Sequence, residues 1–287
     1  MGGVLSLIPL RALLQAGHEI VGLMVPASRR ASGGAPRRRM LLPADVVDLA
    51  RARDIPIVEV PSIDDGGTFA ALEGWEPDLV CVACFPCLLP RRWLDLPHHG
   101  CLNLHPSLLP AYRGPAPLFW QFRAGEERTG VTLHFMDEGA DTGDIVFQAE
   151  VPFSDGITGA EAERLAAEAH ARLLLEALSL PDPPRRPQPS HAAIRQGWPR
   201  AADLRIPTSW TARRAFNFVR GAAQWGPFEI ETPDGTFRVT GACGFVPGGS
   251  LGAATRRTAP VLSVEFSDGI VHLTESEDTR GPGDASW

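Results

Sequence analysis

Hydrophobic and polar positions follow two different spacings in the first part of the chain. Helical spacing, with apolar residues three or four apart, predicts helices over residues 5–16, 44–53, 68–74, 115–124 and 158–178. Short apolar or β-branched runs predict strands over residues 18–25, 57–60, 78–85 and 131–135. Because strands alternate with helices, we expect an α/β domain built on a mostly parallel, Rossmann-like sheet. Thr158 and Glu161 have the spacing of a capping box at the start of the last of these helices.

After residue 200 the pattern changes to short strands joined by tight turns. One helix is predicted over residues 208–223, and strands over residues 228–232, 236–243, 261–266 and 270–274. Asp234-Gly235 and Asp268-Gly269 are typical hairpin turns, so this part predicts a small antiparallel β-barrel-like domain. Five prolines between Pro181 and Pro189 predict a stiff linker. We therefore expect an α/β domain over residues 1–180, a linker over 181–200, a barrel-like domain over 201–275 and a tail over 276–287.

Composition excludes several classes of protein. All 27 basic residues are Arg, and the absence of Lys excludes mechanisms that use a Schiff-base or P-loop lysine. No run approaches the roughly 18 uncharged apolar residues that a membrane helix needs. The N-terminus lacks the basic and then apolar design of a signal peptide, so we expect no membrane partner and a cytoplasmic location. The net charge of -7 argues against a broadly basic nucleic-acid face, although a local basic patch is compatible with it.

Three of the five cysteines form a C-x2-C-x2-C motif, Cys81, Cys84 and Cys87. Such a motif could hold an iron-sulfur cluster. The motif lies in an apolar, β-branched run typical of a buried parallel strand, and on a strand Cys81 and Cys84 would face opposite sides. We therefore expect small buried thiols and no metal.

Polar residues suited to catalysis lie near the middle of the α/β domain. Asn103 and His105 are two positions apart, and Pro106 disfavours the start of a helix at His105. Side chains two apart on an extended segment point to the same face. We therefore expect both at the carboxyl end of one strand, the edge at which open α/β sheets bind ligands. An Asp-rich loop, Asp141-Thr142-Gly143-Asp144, follows the strand predicted over residues 131–135.

Three motifs resemble those of the folate-dependent formyltransferase family: Asn103-Leu-His105-Pro-Ser-Leu-Leu-Pro110, Tyr112-Arg-Gly114 and Asp141-Thr-Gly-Asp144. The resemblance extends over about residues 5–178 and is greatest to the members that act on methionyl-tRNA. It implies transfer of a formyl group from 10-formyltetrahydrofolate to an amine, with no metal and no covalent enzyme intermediate. Family members begin with a strand before the first helix, so the resemblance also implies that the first strand of the sheet is missing from this sequence.

The resemblance assigns roles to individual residues. Asn103 would donate its amide to the oxyanion, and His105 would shuttle protons beside it. Asp141 would orient His105, favour its protonated form and help take the proton of the amine, directly or through water. Folate would contact the segment that follows the strand over 78–85 and the two residues that precede Asp141. These residues are Phe85, Pro86, Cys87, Leu88, Leu89, Gly139 and Ala140. By contrast, His134 is interpreted as a packed or pocket-lining residue, and Ser107 as a cap of its own turn.

A basic segment over residues 26–43 contains five arginines and no acidic residue. Its composition predicts a loop. By resemblance, this loop and the Tyr-Arg-Gly motif would contact initiator tRNA through Arg29, Arg30, Arg37, Arg38, Arg39 and Arg113. A solvated basic loop without a partner explains the composition equally well.

Other functions remain open at this point. The same three residues would also formylate a small amine, such as an amino sugar nucleotide, if the acceptor pocket differed. A catalytically inactive homologue that only binds folate or tRNA is a further alternative. A nucleotide-dependent oxidoreductase is disfavoured, because no G-x-G-x-x-G motif follows a predicted strand.

Overall fold

The computed structural model describes residues 3–27, 44–189, 193–258 and 260–276. Its internal contacts divide the chain into two compact units. Unit 1 comprises Met1–Pro117, Thr129–Val151 and Glu163–Gly197, and unit 2 comprises Leu118–Arg128, Pro152–Ala162 and Trp198–Trp287. Two short segments from the first part of the chain thus group with the C-terminal unit.

Helices and strands alternate in the first part of the chain, and strands predominate after residue 200. The α-helices are α1 (Gly3–Gln15), α2 (Ala44–Arg51), α3 (Gly66–Gly74), α4 (Arg91–Leu94), α5 (Pro117–Ala124), α6 (Gly159–Leu178) and α7 (Ala212–Gly221). The strands are β1 (Leu23–Pro26), β2 (Ile57–Val60), β3 (Val80–Val82), β4 (Cys101–His105), β5 (Arg128–Phe135), β6 (Ile145–Pro152), β7 (Arg205–Pro207), β8 (Phe228–Thr232), β9 (Gly235–Pro247), β10 (Thr255–Thr258), β11 (Val261–Phe266) and β12 (Gly269–Glu275). Among the described residues, no helix is long and apolar enough to cross a membrane.

Unit 1 contains two sheets. β1 and β2 pair in parallel, and β3, β4, β5 and β6 form a four-stranded sheet in that order. In the second sheet β3 and β4 are parallel, with Val82 opposite Asn103. β5 runs antiparallel to β4, with His134 opposite Asn103. The register therefore places Asn103 between Val82, the last residue of β3, and His134 of β5.

The main core of unit 1 fixes the strand that carries Asn103 and His105. Leu102 and Leu104 of β4 share a hydrophobic cluster with Leu133 of β5 and with Ala166 and Leu174 of α6. Leu102 and Leu104 alternate with Asn103 and His105, so the apolar side chains pack against the core while the polar pair faces away. A buried leucine of this kind typically contributes about 1.5–3 kcal/mol to stability.

Unit 2 has a six-stranded sheet and an aromatic core. The strand order is β10-β11-β12-β9-β8-β7; β7 and β8 are parallel, and the other neighbours pair antiparallel. Both predicted hairpins are present, since Thr232 pairs with Gly235 and Phe266 with Gly269. Phe218 packs edge-on against Phe119 and Phe228, with ring centroids 5.5 and 5.1 Å away. The predicted fold class, mixed α/β followed by a mainly antiparallel sheet, is confirmed.

Several element boundaries differ from the prediction. The strand expected over residues 18–25 covers only Leu23–Pro26, and the strand expected over 78–85 covers only Val80–Val82. β3 does not extend to residue 85, because Cys84 has a left-handed φ of 58°, which an extended strand cannot contain. Cys81 and Cys84 therefore do not share a strand. The expectation of buried thiols was also wrong, because only Cys101 of the five is buried.

The start of α6 is capped as its sequence predicts. The Thr158 backbone N–H donates to Oε2 of Glu161 at 2.9 Å, and the Glu161 N–H donates to Oγ1 of Thr158 at 3.2 Å. This reciprocal pair of hydrogen bonds defines a capping box, which satisfies backbone donors that a helix start leaves unpaired.

Candidate active site

The structure brings Asn103, His105 and Asp141 together at one edge of the four-stranded sheet. Asn103 and His105 lie on β4, with His105 as its last residue, and Asp141 lies in the loop between β5 and β6. Oδ1 of Asp141 is 3.3 Å from Nδ2 of Asn103 and 3.5 Å from Nδ1 of His105. Both side chains of β4 thus reach the same carboxylate oxygen. The expectation that they share one face at the carboxyl end of a strand is confirmed.

The Asp141 carboxylate is held on its other side as well. Its Oδ2 atom accepts the backbone N–H of Gly114 at 2.8 Å. Burial disfavours the ionised carboxylate, but the contact with His105 and the hydrogen bond from the Gly114 N–H oppose burial, and the pKa of Asp141 is lowered to about 2. Asp141 is therefore negatively charged at neutral pH.

His105 is buried, and its two ring nitrogens face different groups. Nε2 lies 2.9 Å from the carbonyl oxygen of Tyr112, which can only accept, so Nε2 carries a hydrogen. Burial lowers the pKa of His105 below its ordinary value, although the charge of Asp141 and the Tyr112 carbonyl oppose that effect. A neutral ring with its hydrogen on Nε2 leaves Nδ1, which faces Asp141, able to accept a proton.

Asn103 is oriented by two acceptors. Nδ1 of His134 lies 2.7 Å from the carbonyl oxygen of Phe135 and must donate to it, so Nε2 of His134 is an acceptor. This Nε2 atom lies 3.0 Å from Nδ2 of Asn103. The two amide hydrogens of Asn103 therefore point to His134 and Asp141, and the bond to Asp141 is the longer of the two.

The turn after β4 presents the Gly114 N–H to Asp141. Within this turn the Ser107 hydroxyl donates to the Ala111 carbonyl oxygen at 2.8 Å, which confirms Ser107 as a cap of its own turn. Gly114 has a φ of 118°, and a Cβ at this position would lie 2.0 Å from the Gln196 carbonyl oxygen. Only glycine fits there, so the Tyr-Arg-Gly motif has a backbone explanation.

The residues predicted to contact folate lie in loops at the same edge. β3 ends at Val82, opposite Asn103, and the chain then continues through residues 83–90. In that segment Leu89 is buried and Phe85 is half-buried, whereas Pro86, Cys87 and Leu88 are exposed. Leu88 is 53% exposed, so an apolar side chain faces solvent there. Gly139 and Ala140 directly precede Asp141 in its loop. The apolar surface and open backbone suit a planar, amide-like ring, and folate binding by these residues stays a prediction.

The residues predicted to contact the acceptor are only partly described. Arg113 is half-buried, and its Nε and Nη2 atoms donate to Oε1 of Gln188 at 3.1 and 2.6 Å. The five arginines of the basic segment, Arg29, Arg30, Arg37, Arg38 and Arg39, lie outside the described residues.

Two residues of this site were not identified as such from sequence. His134, interpreted as packed or pocket-lining, is buried but hydrogen-bonds Asn103 and lies 3.8 Å from Oδ1 of Asp141. The antiparallel pairing of β4 with β5 could have indicated this, because it sets His134 opposite Asn103. Gln188 lies in the Pro-rich segment, residues 181–189, which the sequence identified only as part of a linker.

Comparison with known proteins identifies the family of the chain. Residues 10–178 match the family model described as formyl transferase. The chain belongs to the formyl transferase family, so the resemblance carried by the three motifs is confirmed and the chain is a formyltransferase by class.

Particular relatives make the similarity more specific. The chain is 35% identical over 222 residues to methionyl-tRNA formyltransferase of Pelotomaculum thermopropionicum, which covers 75% of this chain and 68% of that protein. It is 33% identical over 291 residues to methionyl-tRNA formyltransferase of Bordetella pertussis, with 96% and 91% covered. The crystal structure of an N-formyltransferase from Helicobacter canadensis, in complex with folinic acid and dTDP-3-aminofucose, superposes with a TM-score of 0.66 at 15% identity, with 96% of each chain covered. At that identity, the last similarity shows the fold alone.

Proposed function

We propose that this protein transfers the formyl group of 10-formyltetrahydrofolate to the methionyl amine of initiator tRNA. The observation that carries the proposal is the position of Asp141, one oxygen of which is shared by Asn103 and His105 at the carboxyl end of β4. The identity to methionyl-tRNA formyltransferase of Bordetella pertussis over 91% of that protein supports this acceptor. A cytoplasmic location belongs to the same proposal.

The site matches what acyl transfer to an amine requires. When an amine attacks a formyl carbon, a C–N bond forms and the carbonyl oxygen gains negative charge. The bond from that carbon to the donor nitrogen then breaks, while the incoming amine loses a proton and the departing nitrogen gains one. The protein must therefore stabilise an oxyanion and move a proton, and neither step needs a covalent enzyme intermediate.

Asn103 is the proposed donor to the oxyanion. Its Nδ2 atom already points two hydrogens into the site, and the 3.3 Å contact with Asp141 is the weaker one. An oxyanion that replaces this contact would gain a donor held in place by His134. Loss of one such donor typically costs about 3–4 kcal/mol of transition-state stabilisation.

His105 is the proposed proton carrier. In the neutral ring Nδ1 accepts a proton from the attacking amine, and the imidazolium that results is stabilised by Asp141 and by the Tyr112 carbonyl. The proton then passes to the departing nitrogen, which restores neutral His105. Asp141 orients the ring and favours its protonated form without having to take the proton itself.

The folate and tRNA contacts are parts of the same proposal. Phe85, Pro86, Cys87, Leu88 and Leu89, with Gly139 and Ala140, would contact the folate. Arg113 and the basic segment over residues 26–43 would contact phosphates of the tRNA, because guanidinium groups bind phosphate oxygens in a bidentate manner.

Formyl transfer to charged initiator tRNA tests the proposal directly. The protein is incubated with 10-formyltetrahydrofolate and methionyl initiator tRNA, and a parallel sample without tRNA reports release of tetrahydrofolate. Formylmethionyl-tRNA in the first sample supports the proposal. If amino sugar nucleotides are formylated and tRNA is not, the proposed acceptor is wrong and the proposed chemistry stands. Folate binding to a folded protein without any product would identify an inactive homologue.

A further inference from the structure

Gln188 connects two parts of the candidate active site that are distant in sequence. Its Nε2 atom donates to the carbonyl oxygens of Asp141 and Gly143 at 2.9 and 2.8 Å. Its Oε1 atom accepts from both Nε and Nη2 of Arg113. One side-chain amide thus makes four hydrogen bonds, two to the Asp141 loop and two to the Tyr-Arg-Gly turn.

The backbone around Gln188 is restricted by its neighbours. Pro187 and Pro189 flank it, and each proline fixes its own φ and confines the preceding residue to extended conformations. Arg186 and Gln188 are therefore both held extended. The amide of Gln188 is presented from a stiff backbone, so little conformational entropy is lost when its hydrogen bonds form.

An antiparallel bridge precedes Gln188 in this segment. Arg186 pairs with Ile145, with reciprocal N–H to carbonyl distances of 2.8 and 3.0 Å. Beyond this bridge the Gln188 side chain contacts the Asp141 loop, because its Nε2 atom donates to the carbonyl oxygens of Gly143 and Asp141.

The Asp141 loop needs such support. Asp141 has a φ of 57°, and a non-glycine residue in this region costs about 1–3 kcal/mol unless its surroundings compensate. Its carbonyl oxygen is bound by Gln188 and its carboxylate by the Gly114 N–H. Arg113, the residue before Gly114, has its backbone anchored to Ile194 and Gln196 at 2.9 and 3.0 Å.

We infer that Gln188 is a positioning residue that holds Asp141 against His105 and fixes the guanidinium of Arg113 beside them. The inference rests on the formyl transfer proposed above only for its kinetic consequence. Gln188 does not touch the reacting atoms and acts through Asp141 and Arg113. The Pro-rich segment is accordingly a component of the active site as well as a connection to the second unit.

A double-mutant cycle of Gln188→Ala and Asp141→Asn tests this role. The first readout is the pKa of His105, measured from its imidazole proton resonances in all four proteins. Asp141 raises the pKa of His105, while burial, His134 and Arg113 lower it, and His170 packs nearby. Asp141→Asn should therefore lower that pKa in the wild-type background. In the Gln188→Ala background we expect Asp141→Asn to lower the pKa of His105 by about half as much or less. The reason is that the effects of neighbouring groups that act together are not additive.

The second readout is the turnover number for formyl transfer. We expect Gln188→Ala to lower kcat by about 10- to 100-fold with KM for folate nearly unchanged, and the double variant to be no slower than Asp141→Asn. Gln188→Glu keeps an acceptor for Arg113 but cannot donate to Asp141 and Gly143, so it should show most of the defect. Gln15→Ala is the control for the loss of a glutamine side chain, because Gln15 is exposed and is the last residue of α1.

The outcomes separate the two proposals. The role of Gln188 is overturned if Asp141→Asn lowers the pKa of His105 as much in the Gln188→Ala background as in the wild type. It is also overturned if Gln188→Ala leaves kcat unchanged. If the wild-type protein forms no formylated product while the pKa shifts are coupled, formyl transfer fails and the positioning role stands. A thermal unfolding scan of each variant shows whether a loss of kcat reflects unfolding.

Discussion

Nδ1 of His105 lies 3.5 Å from Oδ1 of Asp141 in a site where burial lowers the pKa of the histidine. The carboxylate favours the protonated ring and burial favours the neutral one, so the two effects oppose each other. A group balanced in this way can take up and release a proton during one catalytic cycle, which general acid–base catalysis requires.

Replacement of His105 by alanine should reduce formyl transfer without unfolding the protein. Loss of the proton carrier is expected to lower kcat by about 10²–10⁴-fold. The measurement is single-turnover formation of formylated product, with circular dichroism as the check on folding. His98→Ala is the control, because His98 is exposed and lies before β4. Full activity of the His105 variant would remove His105 from the mechanism.

The pH dependence of kcat/KM should show an acidic limb that reports neutral His105. Burial lowers the pKa of His105, so the midpoint of this limb should lie below the ordinary value of 6.5. Below the midpoint His105 is protonated and cannot accept a proton, so the rate falls with falling pH. In Asp141→Asn the carboxylate that raises this pKa is lost. The residual rate should then be about 10²–10⁴-fold lower, and its acidic limb should move to lower pH. A limb that moves to higher pH would contradict this electrostatic account.

His134 should affect rate through the orientation of Asn103. His134→Leu removes the acceptor of the 3.0 Å hydrogen bond from Asn103. One lost hydrogen bond between neutral groups is worth about 1 kcal/mol, so kcat should fall by roughly 5- to 10-fold with little change in KM. His134→Gln, which retains an acceptor, should recover part of the rate. Equal rates in the two variants would show that the hydrogen bond does not orient Asn103.

His170 should make the fold sensitive to acid. It is fully buried on α6, and burial lowers its pKa to about 3, which contact with the His105 carbonyl does not offset. The unfolded chain, with an ordinary pKa, binds more protons than the folded protein between the two values. Stability is therefore complete above the ordinary pKa of 6.5 and decreases as the pH falls toward 3.

Urea unfolding of the wild type and of His170→Leu measures this contribution. From about pH 7.5 to pH 5 the free energy of unfolding of the wild type should fall more than that of the variant, by roughly 1–2 kcal/mol. His105 is present in both proteins, so it does not create the difference. Parallel loss of stability in the two proteins would show that His170 is not the acid-sensitive group.

Local sequence patterns predicted most of the elements, and the residues proposed for catalysis, Asn103, His105 and Asp141, lie together in the structure. Strands β2, β8 and β11 have the bounds that their apolar runs indicated, and Asn103 and His105 share a face because a strand alternates with period two. Asp141 could be assigned because three motifs with this spacing together identify a family. The short extents of β1 and β3 were missed, because an apolar run does not reveal where a left-handed residue such as Cys84 ends a strand.

The sequence by itself determined the fold class, the positions of most elements and the choice of Asn103, His105 and Asp141 as candidate catalytic residues, because these depend on local periodicity and on motif residues. Only the tertiary structure decided that His134 orients Asn103 and that Gln188 joins Arg113 to the Asp141 loop. Those contacts connect residues 31 to 75 positions apart. No local pattern encodes such distances, which are set when the sheet register and the Pro-rich segment bring separate parts of the chain together.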